Sequence, residues 1–181
     1  MSATEPERLT KLDVVQRQLR TAVRMFFENR DAVSTYTIAA AVEGVLAGLL
    51  KRQGKLHPFR ESDFIKNGME AEFNRILNEP QNFFKHANTD PDSVLEFPAM
   101  ALEHPLFQCV VLYNIYRGRD LREGFLFFIW FGAHHPDLIY EGTLHANLES
   151  LKQQATNIAT ARSTYLEFLS RPDLYPIPNL D

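Results

Sequence analysis

Apolar residues recur at three- and four-residue spacing through almost the whole chain, and this constrains the fold more than any other feature. Leu12, Val15, Leu19, Ala22, Val23 and Phe26 form one stripe of a helix over about 10–28. Ile38, Val42, Val45, Leu46, Leu49 and Leu50 form a second, over about 34–52. Ser34 or Thr35 is expected to cap it and Gly54 to stop it. Its small residues Ala39, Ala40, Ala41, Gly44, Ala47 and Gly48 are expected to let another helix approach closely.

A third helix is expected over about 62–78, capped by Ser62, with Phe64, Ile65, Met69, Phe73, Ile76 and Leu77 on its apolar face. Pro80 is expected to end it, because proline disfavours a helical residue before it. The stretch from Pro80 to Pro98 is the least regular. It holds the turn cluster Asn88-Thr89-Asp90-Pro91-Asp92 and a brief extended piece at Leu95-Glu96-Phe97. A fourth helix spans about 99–116, kinked or broken in two by Pro105. A fifth spans about 121–133 and is apolar almost all round, which makes it the expected central buried helix. A sixth runs over about 143–170. Pro172, Pro176 and Pro178 then make residues 171–181 an extended tail, and the polar residues 1–9 are expected to be a flexible start. Six helical patterns without a strand hairpin point to an all-α, single-domain helical bundle spanning residues 1–181.

The charge excludes some functions. A net charge of −4 gives no global basic field to gather phosphates. The local basic stretch Lys51 to Arg60 reads first as a charged helix end. The single cysteine, Cys109, supports neither a disulfide framework nor a thiolate metal site and reads as a buried spectator. The polar start, Met1 to Arg8, lacks the apolar core of a signal peptide. The densest apolar run, Gly124 to Gly132, is far shorter than the roughly 20 residues a bilayer needs. A cytoplasmic address is expected by elimination.

The strongest candidate site is Gln81-Asn82-Phe83-Phe84-Lys85-His86. Asn82, Lys85 and His86 supply an amide, a cation and a group that titrates near neutrality. On a helical turn their three- and four-residue spacing puts them on one face, with Phe83 and Phe84 directed at least partly into the core.

The pattern Asn82-x-x-Lys85-His86 resembles the motif region of the HEPN superfamily of helical bundles. That superfamily includes RNA-cleaving toxins and defence ribonucleases as well as non-catalytic binding modules. Its signature is an Arg, a polar residue, and a His four to six positions beyond the Arg. Asn82 matches the polar residue and His86 the His, while Gln81 stands in the Arg position. The resemblance implies RNA binding, or metal-independent RNA cleavage without a cofactor. His86 would be the catalytic acid or base, Asn82, Lys85 and Gln81 would bind, and a homodimer would face two motifs across one cleft. The residues by themselves leave a second reading open, a non-enzymatic helical interaction or scaffold protein.

Two other clusters carry weaker signals. His134-His135-Pro136-Asp137, with Glu141 and His145, contains metal-ligand residue types, but adjacent histidines point their rings apart, and a polar loop is expected. Arg117-Gly118-Arg119-Asp120-Leu121-Arg122 is expected to be a charged turn with Gly118 as its cap. Gly44 to Leu50 has two glycines at phosphate-loop spacing, but Leu49 and Leu50 replace the Lys and hydroxyl that the loop requires.

Overall fold

The structure, a computed structural model, describes residues 6–60, 70–86, 88, 90–135, 161–173 and 180. It is all-helical, with six α-helices and no strand among the described residues. The helices are α1 (Lys11–Phe27), α2 (Ala32–Arg52), α3 (Glu70–Lys85), α4 (Glu103–Arg117), α5 (Arg122–His134) and α6 (Arg162–Ser170). A short 3-10 turn, Ala99–Leu102, precedes α4. The expected cap Ser62, and residues 143–160 of the expected long final helix, lie outside the described residues, as do residues 174–179 of the tail.

Helix α1 begins with a reciprocal capping box. Thr10 Oγ1 accepts the Asp13 N–H at 3.1 Å, and Asp13 Oδ2 accepts the Thr10 N–H at 2.8 Å. Its expected stripe is the buried one, with Val15, Leu19, Ala22, Val23 and Phe26 all facing inward.

Helix α2 starts earlier than its sequence suggests. Asn29 turns the chain with φ 53°, and Asp31 caps the helix by accepting the Ser34 N–H at 2.7 Å. Ser34 and Thr35, the expected caps, are therefore both inside the helix. A carboxylate at this position also complements the partial positive charge of the helix start. The small-residue face is corrected as well. Ala39 and Ala40 are buried, but a Cβ added at Gly44 or Gly48 meets no atom within 4 Å, so among the described residues no helix packs there.

Pro80 does not end α3, which continues through it to Lys85. The missing N–H removes one bond to the carbonyl four residues back. The last turns are held instead from outside, by Phe84 against Tyr36 and Phe97, with ring centroids 5.6 and 5.3 Å away. Pro105 acts as expected. The helical run splits into the 3-10 turn and α4, and Pro105 falls in the first turn of α4, where an N–H is not needed.

Helix α5 is buried over most of its length, as expected, and α2 is the longest helix among the described residues. Helix α2 packs on α1, α3 and α4, while α5 lies against α1, α4 and α6. It is also the helix, among the described residues, that is long and apolar enough by length and composition to cross a membrane, a property missed by testing only Gly124 to Gly132. In the fold it carries a buried acid, Glu43.

The core is rich in aromatic residues. Phe26 meets Phe127 and Trp130 edge-on at 5.2 and 4.8 Å. Phe27 stacks on Tyr165 at 5.2 Å, and Phe107 stacks on Phe131 at 4.1 Å. Arg162 lies 3.9 Å above the Phe26 ring and donates to the Phe26 carbonyl, which docks α6 on α1. Glu123, buried in the first turn of α5, accepts from Arg24 of α1 at 3.0 Å.

Gly54 and Gly118 end α2 and α4 in the left-handed conformation, at φ 68° and 72°. A Cβ at Gly118 meets nothing within 4 Å, so its only cost is conformational. Gly118→Ala is expected to lower stability by about 1 kcal/mol in urea denaturation, without altering the far-ultraviolet circular dichroism.

Candidate functional site

The candidate segment forms the end of α3, and the helical rotation distributes its side chains over different surroundings. Phe84 points inward to Tyr36 and Phe97. Gln81, three residues earlier on nearly the same side, lines a small 50 Å³ cavity with Tyr36, Ala40, Glu43, Arg60, Pro105 and Gln108. Asn82 and His86 lie on another face, and the His86 N–H donates to the Asn82 carbonyl at 3.0 Å.

Asn82 and His86 line an open cleft of 620 Å³. Arg75 and Glu79 extend the same face along α3, and Phe83 contributes a partly exposed ring. The opposite wall is the irregular segment after the helix, through Asn88, Asp90, Ser93, Val94 and Leu95. A turn in which the Ser93 N–H donates to the Asp90 carbonyl at 3.1 Å shapes that wall. The cleft combines amides, one guanidinium, an imidazole and two carboxylates with apolar surface.

The structure thus brings Asn82 and His86 together and leaves the other two expected residues apart. Lys85 is exposed but does not line the cleft, and Gln81 faces the interior cavity. Three-residue spacing allowed Lys85 to share a face with Asn82, but the cleft wall rises on the Glu79 and His86 side of the helix. The cation in the cleft is Arg75, seven residues before Asn82 and two helical turns away. That spacing is legible in the sequence once Pro80 is known to be inside the helix.

Beneath α3 lies a polar cluster that the sequence reading missed. The Phe59 N–H donates to His57 Nδ1 at 3.3 Å, so the ring proton sits on Nε2, which donates to Glu43 Oε1 at 3.0 Å. Arg60 Nε donates to the same oxygen at 2.7 Å. Arg60 also reaches Asn78 of α3, donating from Nη2 to Oδ1 at 3.0 Å. Burial pushes the Glu43 carboxyl upward, but the His57 hydrogen bond and the Arg60 charge outweigh it and hold the group below its ordinary value. Burial, together with the Glu43 charge, raises the Tyr36 phenol. The basic stretch Lys51 to Arg60 is therefore not only a charged helix end, because its last members turn inward. The available signal was an acid between Val42 and Leu46, inside an otherwise apolar stripe.

The remaining clusters are structural. His134 Nδ1 donates to the Trp130 carbonyl at 2.8 Å and stacks on the Trp130 ring, whereas His135 binds Glu103 Oε2 at 2.7 Å. The two rings do diverge. Pro136, Asp137, Glu141 and His145 lie outside the described residues, and among the described residues no three His, Cys, Asp or Glu are grouped to hold a metal. Arg122 donates to the Phe168 carbonyl at 2.7 Å. Cys109 is buried, its thiol donates to the Ala39 carbonyl at 3.2 Å, and burial pushes its ionisation far up, so it is inert.

The chain matches no family model, no curated protein and no solved structure.

Proposed function

We propose that this protein is a single-stranded RNA-binding module whose ligand occupies the cleft between α3 and residues 90–95. The observation that carries this reading is the joint exposure of Asn82 and His86 in one cleft with Arg75 and Phe83. Single-stranded RNA is recognised by stacking unpaired bases on aromatic rings and by hydrogen bonds to their edges. Phe83 supplies the ring, Asn82 and Asn88 the amides, and Arg75 a fork for one phosphate. One cation against the carboxylates of Glu79 and Asp90 favours base recognition over phosphate gathering. It also fits the acidic character of the whole chain.

The resemblance to HEPN domains supports the same ligand class, in the binding rather than the cleaving form. The cation expected beside His86 for cleavage, Lys85, does not line the cleft, which favours the binding form. In this reading the protein works in the cytoplasm, in a defence or stress setting. A homodimer would place a second copy of the cluster nearby.

A second reading, a docking module for a peptide, is favoured by Val94, which is 90% exposed beside Leu95 on the cleft wall. One experiment separates them. A fluorescent single-stranded RNA of mixed sequence is titrated with the protein and with Asn82→Ala, Phe83→Ala and His86→Ala, and total RNA is incubated with the same proteins. Binding is expected, weakened about five- to 150-fold by Phe83→Ala, since a base stacked on an aromatic ring contributes about 1–3 kcal/mol, and with no cleavage. Binding that none of the substitutions changes would overturn the site. Absence of binding would leave the peptide reading, and cleavage lost in His86→Ala would restore the enzymatic form.

A further inference from the structure

The Glu43 cluster extends beyond its own pocket. Arg60 joins Glu43, in the middle of α2, to Asn78 on α3 through bonds of 2.7 and 3.0 Å. Asn78 lies one turn before Asn82 on the same helix. Between them stands Pro80, which removes one rung of the helical ladder. The end of α3 therefore depends more than usual on its side attachments. Two are visible, the aromatic contacts of Phe84 on the far side of the proline and the Arg60–Asn78 bond before it. Arg60 itself is held in place, because Glu43 is buried and is also fixed by His57.

We propose that Arg60 is a positioning residue for the cleft. Through Asn78 it sets the seating of α3 on α2, and so sets how Asn82 and His86 face the wall at residues 90–95. Only Arg among the cations can do this, because its fork serves two acceptors in different directions from one planar group. The proposal rests on the cleft being the ligand site only for its effect on binding, not for its effect on the helix.

The test uses the full chain and three variants, Asn78→Ala, Asn78→Asp and Arg60→Lys. Two quantities are read: amide hydrogen exchange at residues 81–86, with α1 and α5 as internal references, and affinity for the same fluorescent RNA. Asn78→Ala is expected to speed exchange at residues 81–86 by roughly ten- to a hundredfold, the effect of losing one hydrogen bond to a charged donor, with α1 and α5 unchanged. Affinity should fall by a similar factor. Asn78→Asp keeps an acceptor for Arg60 and should restore both, while Arg60→Lys, which keeps the charge but not the fork, should behave like Asn78→Ala. Unchanged exchange at residues 81–86 in Asn78→Ala, or equal loss in Asn78→Asp, would overturn the proposal. Exchange that rises and is rescued supports the relay whether or not RNA binds. A wild-type chain that binds no RNA, with that exchange pattern intact, fails the ligand reading alone.

Discussion

Glu43→Ala is expected to destabilise the fold by about 2–4 kcal/mol, measured by urea denaturation at neutral pH. The basis is the asymmetry of buried ionic groups. Forming such a pair gains little net stability, but removing one partner leaves the other without its bonds in a place where water cannot replace them. Here one oxygen, Glu43 Oε1, receives both His57 and Arg60, so a single truncation removes an acceptor from an imidazole N–H and from a guanidinium that keeps its bond to Asn78. His57 is 5% exposed and bears the full penalty, whereas the Arg60 side chain is 23% exposed and recovers part of its solvation. This places the expected value below the upper range for fully buried pairs. Glu43→Gln keeps the shape and one acceptor oxygen and should cost less than Glu43→Ala.

The same residue gives the fold a pH dependence of definite sign. The folded-state pKa of Glu43 is lower than its ordinary value. The folded state therefore binds this proton less readily than the unfolded chain does. The contribution is complete above the ordinary glutamate range and is lost as pH falls through the depressed value. Stability should fall on acidification below about pH 4–5, and the fall should be shallower in Glu43→Gln. Equal acid slopes in the two proteins would show that the carboxylate is not coupled to folding.

Phe127→Ala is expected to cost about 3–5 kcal/mol, the range for truncating a fully buried aromatic residue. Phe127 is 0% exposed and lies within ring contact of Phe26, Phe27, Trp130 and Phe131. These residues belong to α1 and α5, so the cavity would open at the junction of two helices rather than within one. Rings packed edge-on or tilted against one another are held by their neighbours and collapse poorly into such a gap. For a chain of this size the loss corresponds to roughly 6–20 °C in Tm, read by thermal unfolding. Phe83→Ala is the internal control: Phe83 is 36% exposed on the cleft and should change Tm little. A similar loss in both variants would mean that Phe83 is core and that the cleft is wrongly described.

Much of the architecture was written locally. A helix stripe is a property of residues three and four apart, so α1, α2, α4 and α5 were legible within a few residues at each end. Gly54 and Gly118 were legible as stops because a left-handed residue after a helix is a local requirement that glycine meets without strain. The burial of Cys109 followed from its apolar run.

Tertiary structure decided what depends on a partner distant in sequence. Pro80 continues α3 because Phe84 finds Tyr36 and Phe97, residues 48 and 13 positions away. Glu43 is tolerated in an apolar stripe because His57 and Arg60 return to it from beyond the helix. The candidate segment followed the same rule. Its residue types marked it in the sequence, and helical spacing correctly joined Asn82 to His86. Which further side chains joined them was set by the wall at residues 90–95, which has no helical period to read. That wall brings Arg75 into the cleft, leaves Lys85 beside it, and leaves Gln81 facing the cavity next to Arg60. Periodicity reports which side of a helix a residue occupies, and only packing determines what that side meets.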